Sequence, residues 1–145
     1  MSYVSAILPA ASLFLAKVKR CRPQPFVWQP PGYVFVVAWT LLAATTGVSG
    51  VYIYNVNDHY STTLFWATCW LLGNGWVLSN RICNQYFNFF YGALLLTVTC
   101  LLANHVAKSQ DKNGKKARDW LIPLIVWECF AVLLYFSALW ALVNK

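Results

Sequence analysis

Charge is the property that this sequence has least of. Only 10% of its 145 residues are charged and just four of them are acidic, whereas an ordinary globular domain has about 25% charged residues. A disordered chain would be rich in charge, and a soluble domain of this size could not cover its surface with so few polar groups. Because 59% of the residues are hydrophobic and 17% are aromatic, the composition predicts a protein that folds in a lipid bilayer.

Motifs for metal binding and redox chemistry are also absent from the sequence. Its five cysteines form no C-x-x-C pair and no cluster with histidine at metal-ligand spacing. Cys69, Cys100 and Cys129 lie in apolar runs, where we expect them to pack as small hydrophobic side chains. With no internal repeat or low-complexity tract, the sequence predicts one domain over residues 1–145, with no metal site and no required cofactor.

The basic residues give the chain a net charge of +7, and their positions indicate what that charge means. Nine of the eleven lie in two stretches, 17–22 and 108–118, and long spans between these stretches are almost uncharged. This pattern is typical of membrane segments joined by basic loops and not of a nucleic-acid-binding face, so we expect no nucleic-acid partner. The two sides of a five-span topology would carry six and five basic residues, a difference too small to orient the protein.

Five stretches are apolar enough to be helices that cross or enter the bilayer, for which a full crossing needs ~20 residues. They lie at approximately 2–18, 32–54, 60–81, 86–107 and 120–143. The first is short and contains Pro9, and it is not a secretory signal peptide because its basic residues follow the apolar run. The sequence therefore predicts an all-α membrane protein, a bundle of five transmembrane helices of which the first is short.

The connections between the predicted spans are short. Residues 22–31 hold four of the six prolines, so we expect an extended segment with Pro31 in the first turn of the next helix. Residues 108–118 are the only connection that we expect to form a freely solvated loop. These features predict an integral membrane location, and they do not distinguish a mitochondrial, bacterial or viral membrane.

Two blocks of residues carry a family resemblance. Residues 28–40 read W-Q-P-P-G-Y-V-F-V-V-A-W-T, which resembles the signature that opens the second helix of the translocator protein family. This family is also called the peripheral-type benzodiazepine receptors, and its bacterial members are the tryptophan-rich sensory proteins (TspO). Residues 123–134 read P-L-I-V-W-E-C-F-A-V-L-L, similar to the pattern of the family's fifth helix. The resemblance covers nearly the whole chain.

The resemblance implies a pocket among the five helices for flat hydrophobic molecules such as porphyrins and sterols. The implied lining comprises Trp39, Asn74, Trp127, Ala131 and Leu134, with Trp28 and Pro31 in a lid or wall near the membrane surface.

The sequence itself places one set of residues on a single helix face, at i, i+3, i+4 and i+7: Trp127, Phe130, Ala131 and Leu134. This face fits either a pocket wall that includes Phe130 or plain helix packing. Trp39 lies about 10 Å below Gly32 along its helix, deeper than an interfacial anchor would lie.

Several positions depart from the family pattern. Asn74 and Trp76 are two residues apart instead of three, and Tyr135 stands where the family usually has asparagine. Leu124 stands where the family has tyrosine. Glu128 has no family counterpart and is the one acid inside a predicted span, where a carboxylate costs about 3 kcal/mol. Two interpretations of Glu128 stay open: an acid that is protonated or bound to water, at a contact with another subunit, and a residue that contacts the ligand.

Three functional hypotheses follow. The leading one is a membrane protein that binds, and either transports or senses, a sterol or a porphyrin or haem-type tetrapyrrole. The second, by analogy with some bacterial relatives, is light- and oxygen-dependent porphyrin degradation, although no general acid, base or nucleophile arrangement supports conventional catalysis. The third is a structural or accessory subunit of a larger membrane assembly. Besides the lipid bilayer, the expected partners are a hydrophobic ligand and either a second copy, through the third helix, or other members of a membrane complex. Gly75 and Ser79, four residues apart, give the third helix a small-residue face for close helix contact.

Overall fold

The computed structural model describes residues 31–56, 59–79, 82, 84–109 and 111–144. In these residues the chain forms four α-helices and no strand: α1 (Gly32–Tyr54), α2 (His59–Ser79), α3 (Gln85–Lys108) and α4 (Lys112–Val143). These helices correspond to the second to fifth spans predicted from the sequence. The predicted first span, 2–18, and the proline-rich connection up to residue 30 lie outside the described residues.

The helices begin where the local sequence supplies acceptors for backbone amides that have no partner inside the helix. Pro31 immediately precedes α1, and its carbonyl accepts a hydrogen bond of 3.0 Å from the backbone N–H of Val34. At the start of α3, the side chain of Asn84 accepts a bond of 3.1 Å from the backbone N–H of Phe87. In a bilayer such partners are needed because no water is present to satisfy the backbone.

The four helices form a closed bundle. Each helix contacts the next one along the chain, and α4 returns to contact α1. Because the connections are short, consecutive helices are antiparallel. The end of α1 and the start of α2 therefore lie at the same end of the bundle as the end of α3 and the start of α4. We call this the basic end because Lys108 ends α3 and Lys112 begins α4.

Polarity is distributed as expected for a protein in lipid. Three helices are long and apolar enough to cross a membrane, Tyr33–Tyr54, Gln85–Lys108 and Lys112–Val143, and α2 is 21 residues long with more hydroxyl and amide side chains. Large apolar side chains such as Leu41, Leu94 and Leu133 are exposed. The buried side chains, in contrast, include a set of polar ones: Thr46, Ser49, Thr62, Ser79, Asn88, Thr99 and Glu128. An apolar exterior around polar interior groups fits a bilayer as the surrounding medium.

Hydrogen bonds between helices satisfy several of these buried groups. The Ser49 hydroxyl on α1 donates to the backbone carbonyl of Ala117 on α4 at 3.0 Å. The Ser79 hydroxyl on α2 is 2.8 Å from Asn88 Oδ1 on α3, to which it can donate. Trp76 Nε1 donates to the backbone carbonyl of the same Asn88 at 3.0 Å. Such bonds are each worth about 0.6 kcal/mol in membrane bundles, so their main effect is to fix which helix faces meet.

Two groups of buried apolar residues lie inside the bundle. The larger group lies toward the basic end and comprises Ile53, Trp66, Cys69, Leu102, Ala103, Val106, Ala117 and Leu121. The smaller group comprises Trp76, Leu95 and Ala131. The larger group includes residues from all four helices, so the packing at this end fixes how the helices are arranged around the centre of the bundle.

The prediction of a loop over 108–118 is wrong, because α4 begins at Lys112 and not near residue 120. The Asp111 side chain caps the helix by accepting a hydrogen bond of 2.9 Å from the backbone N–H of Asn113. Ala117 is fully buried against the bundle. With 32 residues, α4 is about 48 Å long and exceeds the ~30 Å hydrocarbon core. Its basic first turns thus extend beyond the apolar layer while remaining packed.

We expect Gly92→Ala to destabilise the bundle. A Cβ at Gly92 would lie 3.1 Å from Cζ2 of the Trp76 ring, and that ring is held by its hydrogen bond to Asn88 and by an edge contact with Tyr135. Since the ring cannot shift freely, the free energy of unfolding should fall by about 1–2 kcal/mol. Unfolding of the detergent-solubilised protein by sodium dodecyl sulfate, followed by circular dichroism, measures this change.

Gly73→Ala is the matched control for that substitution. It makes the same glycine-to-alanine change in α2 instead of α3, but a Cβ at Gly73 would meet no atom within 4 Å. Because alanine is a better helix former than glycine, stability should stay constant or rise by up to about 1 kcal/mol. Equal destabilisation by both substitutions would show that the Trp76 contact is not the cause.

Candidate functional site

A cavity lies at the centre of the bundle, between all four helices. The space between its lining atoms, counted together with the part that is open to the outside, is about 490 Å³. Its lining includes apolar, aromatic and a few polar side chains: Trp39, Leu42, Ala43, Thr46, Cys69, Trp70, Gly73, Asn74, Trp76, Leu95, Leu124, Trp127 and Glu128. A largely apolar cavity with a few polar groups is the usual form of a small-molecule site.

Four tryptophans dominate the wall of this cavity. Trp39 comes from α1, Trp70 and Trp76 come from α2, and Trp127 comes from α4. Indole rings are the largest flat apolar surfaces that side chains provide, and they interact best with other flat systems in offset or edge-to-face arrangements. The cavity can therefore contact a flat molecule from three helices.

Aromatic neighbours support two of these indoles. The Phe35 ring meets the Trp127 ring edge to face, with centroids 5.5 Å apart and planes at 79°. The Phe130 ring also contacts the Trp127 ring, with centroids 5.4 Å apart and planes at 39°. The Trp76 ring contacts Tyr135 at 5.9 Å and 62°. These contacts hold the indole planes in place, so the cavity wall is largely formed before any ligand enters.

Asn74 and Glu128 are the cavity residues with the strongest polar groups. Asn74 Nδ2 donates to the backbone carbonyl of Trp70, one turn earlier in α2, at 3.0 Å. This bond directs the amide along its own helix and leaves its carbonyl oxygen Oδ1 as the free acceptor. Glu128 Oε1 accepts a hydrogen bond of 3.1 Å from the Thr99 hydroxyl of α3. Both side chains therefore have fixed positions in the wall.

Glu128 is unusual because it is almost fully buried. Only 2% of it is exposed, and its second carboxyl oxygen, Oε2, has no hydrogen-bond partner among the described residues. Leaving a buried acceptor unpaired costs about 1–3 kcal/mol. The side chain projects from α4 into the cavity lining beside Leu124 and Trp127.

The structure brings three of the residues proposed from the family resemblance together around the cavity: Trp39, Asn74 and Trp127. Phe130 lies behind the wall, where it contacts Trp127. Ala131 and Leu134 are each only 5% exposed and are buried in helix packing outside the cavity lining.

Of the two residues proposed for a lid, only Pro31 belongs to the part of the chain that the structure describes. Pro31 is exposed at the start of α1 and does not line the cavity, and Trp28 lies outside the described residues. The cavity thus shares three wall residues, Trp39, Asn74 and Trp127, with the predicted pocket.

Several cavity residues were not predicted as site residues. Trp70, Gly73 and Trp76 of α2 line the cavity together with Asn74. The signal for two of them was helical spacing, since Trp70 and Gly73 precede Asn74 by four residues and one residue, positions on or near the same face. Glu128 was singled out, and of its two open interpretations, the one that places it at a ligand site agrees with its position in the wall.

The small-residue face of α2 contacts α3 within the same chain. A Cβ at Gly75 would collide with the hydroxyl of Tyr91, and Ser79 is buried with its hydroxyl 2.8 Å from Asn88. The close helix contact that the spacing of Gly75 and Ser79 predicts is therefore made inside the bundle. A homodimer through α2 stays a prediction, and it would have to use another face, such as the one with exposed Leu64 and Leu71.

In the residues that the structure describes, no three His, Cys, Asp or Glu side chains are grouped so that they could hold a metal ion. The cysteines Cys69, Cys100 and Cys129 are free. The side chains that line the cavity offer stacking, apolar contact and hydrogen bonding.

Together, the apolar exterior, the buried polar contacts and the three long apolar helices define an integral membrane protein with a tryptophan-lined cavity. The chain belongs to the TspO/MBR family, whose sequence profile matches residues 9–141. It is also 26% identical over 121 residues to uncharacterized membrane protein YtaB of Bacillus subtilis (strain 168). The aligned region covers 76% of this chain and 71% of YtaB. The family resemblance of the blocks 28–40 and 123–134 is thereby confirmed.

Proposed function

We propose that this protein binds flat, mostly apolar molecules, such as porphyrins and other tetrapyrroles or sterols, in its central cavity. The observation that carries the proposal is the convergence of Trp39, Trp70, Trp76 and Trp127 from three helices on one cavity. Binding would serve transport or sensing, since both begin with capture of the molecule from the membrane.

The physical gain for such a ligand comes from its rings. Burial of apolar surface contributes roughly 25 cal/mol per Å², and each aromatic contact in good geometry adds about 0.5–1.5 kcal/mol. These gains must exceed the cost of immobilising the ligand, which a preformed wall keeps low. Asn74 would orient a polar edge of the ligand through its free carbonyl oxygen. A tetrapyrrole offers more flat area to the four indoles than a sterol, so it is the preferred candidate.

A titration of protoporphyrin IX tests this function. The protein in phosphatidylcholine nanodiscs should show saturable quenching of its tryptophan emission. Trp39→Phe and Trp127→Phe should each weaken the affinity about fivefold, because phenylalanine offers a smaller ring to the same ligand. The affinity is measured by porphyrin fluorescence, so that the loss of a tryptophan does not itself change the signal.

Trp140→Phe is the matched control. Trp140 is 64% exposed near the far end of α4 and does not line the cavity, so its replacement should leave the affinity unchanged. Non-saturable quenching, or equal effects of all three substitutions, would contradict binding in this cavity.

The other two hypotheses are tested on the same sample. Illumination in air followed by mass spectrometry of the extracted porphyrin distinguishes binding from degradation, since recovery of unaltered porphyrin contradicts the degradation hypothesis. Purification from native membranes addresses the accessory-subunit hypothesis, because a free protein that binds porphyrin saturably does not fit a scaffold without a ligand.

A further inference from the structure

The acid in the cavity wall is not explained by binding of a purely apolar ligand. Glu128 lines the cavity at 2% exposure, and its Oε2 atom has no hydrogen-bond partner in the described part of the chain. A wall selected only for apolar contact would be more stable with leucine at this position, because an unpaired buried acceptor costs free energy. The oxygen has the chemistry to accept a hydrogen bond from whatever occupies the cavity.

The described part of the protein offers few hydrogen-bond donors to the Glu128 carboxyl group. The Thr99 hydroxyl is 3.1 Å from Glu128 Oε1 and 2.9 Å from the backbone carbonyl of Leu95. A hydroxyl has one proton, so it can fully satisfy only one of these oxygens at a time. Even when it bonds to Glu128 Oε1, the second carboxyl oxygen of this cavity-lining residue has no partner among the described residues.

No basic side chain lines the cavity among the residues that the structure describes. Arg118, the basic residue nearest to Glu128 in the sequence of α4, is paired with Asp119 at the exposed start of the helix. A ligand that brings an acidic group into the cavity would therefore find an acid and no counter-charge. Indole faces also favour positive charge, because the ring quadrupole is negative above and below its plane.

We propose that the cavity selects flat aromatic molecules that carry a basic or N–H-bearing nitrogen, with the nitrogen donating to Glu128 Oε2 and the rings lying against the tryptophans. This inference rests on the proposed function and narrows its ligand class. A tetrapyrrole would then bind with its ring N–H groups toward Glu128 and with its own carboxylate substituents toward the opening of the cavity.

Three probes with the same fused three-ring frame test the proposal. 9-Aminoacridine carries N–H donors and a positive charge, 9-methylanthracene carries neither, and anthracene-9-carboxylate carries an acid. In nanodiscs of neutral phosphatidylcholine, the wild-type protein should bind the three in that order. The affinity for 9-aminoacridine should exceed that for 9-methylanthracene by about tenfold after correction for partition into protein-free nanodiscs.

Glu128→Gln isolates the acceptor. Its amide keeps an oxygen for Thr99 and replaces Oε2 by an NH₂ group, which donates and cannot accept. We expect 9-aminoacridine binding to weaken about tenfold while 9-methylanthracene binding changes less than about twofold. Thr97→Val is the matched control, because Thr97 is exposed on α3 and does not line the cavity, so the affinities for both probes should stay constant.

The outcomes separate this proposal from the broader one. If none of the three probes quenches tryptophan emission saturably, the selection by Glu128 is overturned, and if protoporphyrin IX also fails to do so, the proposed function fails with it. If 9-aminoacridine and 9-methylanthracene bind equally well to the wild type, the ligand site stands and the selection by Glu128 is overturned. The wild-type comparison decides this even if Glu128→Gln fails to fold. An equal loss of both probes in a folded Glu128→Gln variant would also contradict selection, since it would indicate a purely structural role.

Discussion

Protoporphyrin binding should fall by about 100-fold, or about 2.8 kcal/mol, in the Gly73→Phe variant. Gly73 lines the cavity, and a Cβ built there would meet no atom within 4 Å. A phenyl ring at this position therefore enters the empty space beside Trp70 instead of displacing packed side chains. It removes volume that the ligand needs and covers the flat surface on which the ligand would stack. Porphyrin fluorescence in nanodiscs measures the loss.

Leu71→Phe is the control for this effect. Leu71 belongs to the same helix but is 61% exposed on its outer surface, so the same ring is added toward lipid and binding should not change. Circular dichroism should show the same helix content for Gly73→Phe and the wild type. Wild-type affinity in a folded Gly73→Phe variant would mean that porphyrin binds elsewhere on the protein.

The apolar helices of this protein could be predicted well from the sequence. The predicted span 32–54 coincides with α1, and the predicted span 86–107 differs from α3 by one residue at each end. The reason is that in a bilayer the length of an apolar run directly sets the length of the helix. The partition of residues between lipid and water, which decides these boundaries, is a local property of the sequence.

The start of α4 could not be predicted in that way. Charge marks the end of the apolar layer but not the end of a helix, and the residues before 120 remain helical because they pack. Ala117 is fully buried, and the Lys116 ammonium lies 5.4 Å from the centre of the Tyr52 ring on α1. Such contacts depend on a second helix, so hydropathy along one segment does not contain them.

The cavity was predictable only where a motif pointed to it. Trp39 and Trp127 lie in the two blocks that resemble the family, and both line the cavity. Trp70 and Trp76 belong to neither block, and a tryptophan in a membrane helix is equally typical of packing or of an interfacial anchor. Which of these roles a tryptophan has depends on how its helix is rotated, and that rotation is set by contacts such as the bond from Trp76 to Asn88.

The scarcity of charge acquires a specific meaning at Glu128. The residue would be costly against lipid, but on α4 it faces the centre of the bundle and bonds to Thr99 on α3. Its sequence position showed only that an acid lay within an apolar run. The structure adds that one carboxyl oxygen is within hydrogen-bonding distance of the Thr99 hydroxyl and that the other has no partner among the described residues.

Gly114→Ala should have the largest effect on stability, lowering the free energy of unfolding by about 3 kcal/mol. A Cβ at Gly114 would collide with the backbone carbonyl of Val106 and with the Ser109 hydroxyl. Val106 O also accepts a bond of 2.7 Å from that hydroxyl, so the last turn of α3 cannot move without losing its own hydrogen bonds. The start of α4 would have to move away from α3. Denaturation by sodium dodecyl sulfate measures the effect.

Lys115→Ala is the matched control, because Lys115 is exposed on the same turn and its replacement should change the unfolding free energy by less than about 0.5 kcal/mol. Gly114 lies in the first turn of α4 at the basic end and does not line the cavity. The folded fraction of Gly114→Ala should therefore bind porphyrin with wild-type affinity, in contrast to Gly73→Phe, which should lose binding and keep its fold. If Gly114→Ala lowers the free energy of unfolding no more than Lys115→Ala does, α3 and α4 do not pack as closely at this turn as the contact of Gly114 with Val106 requires.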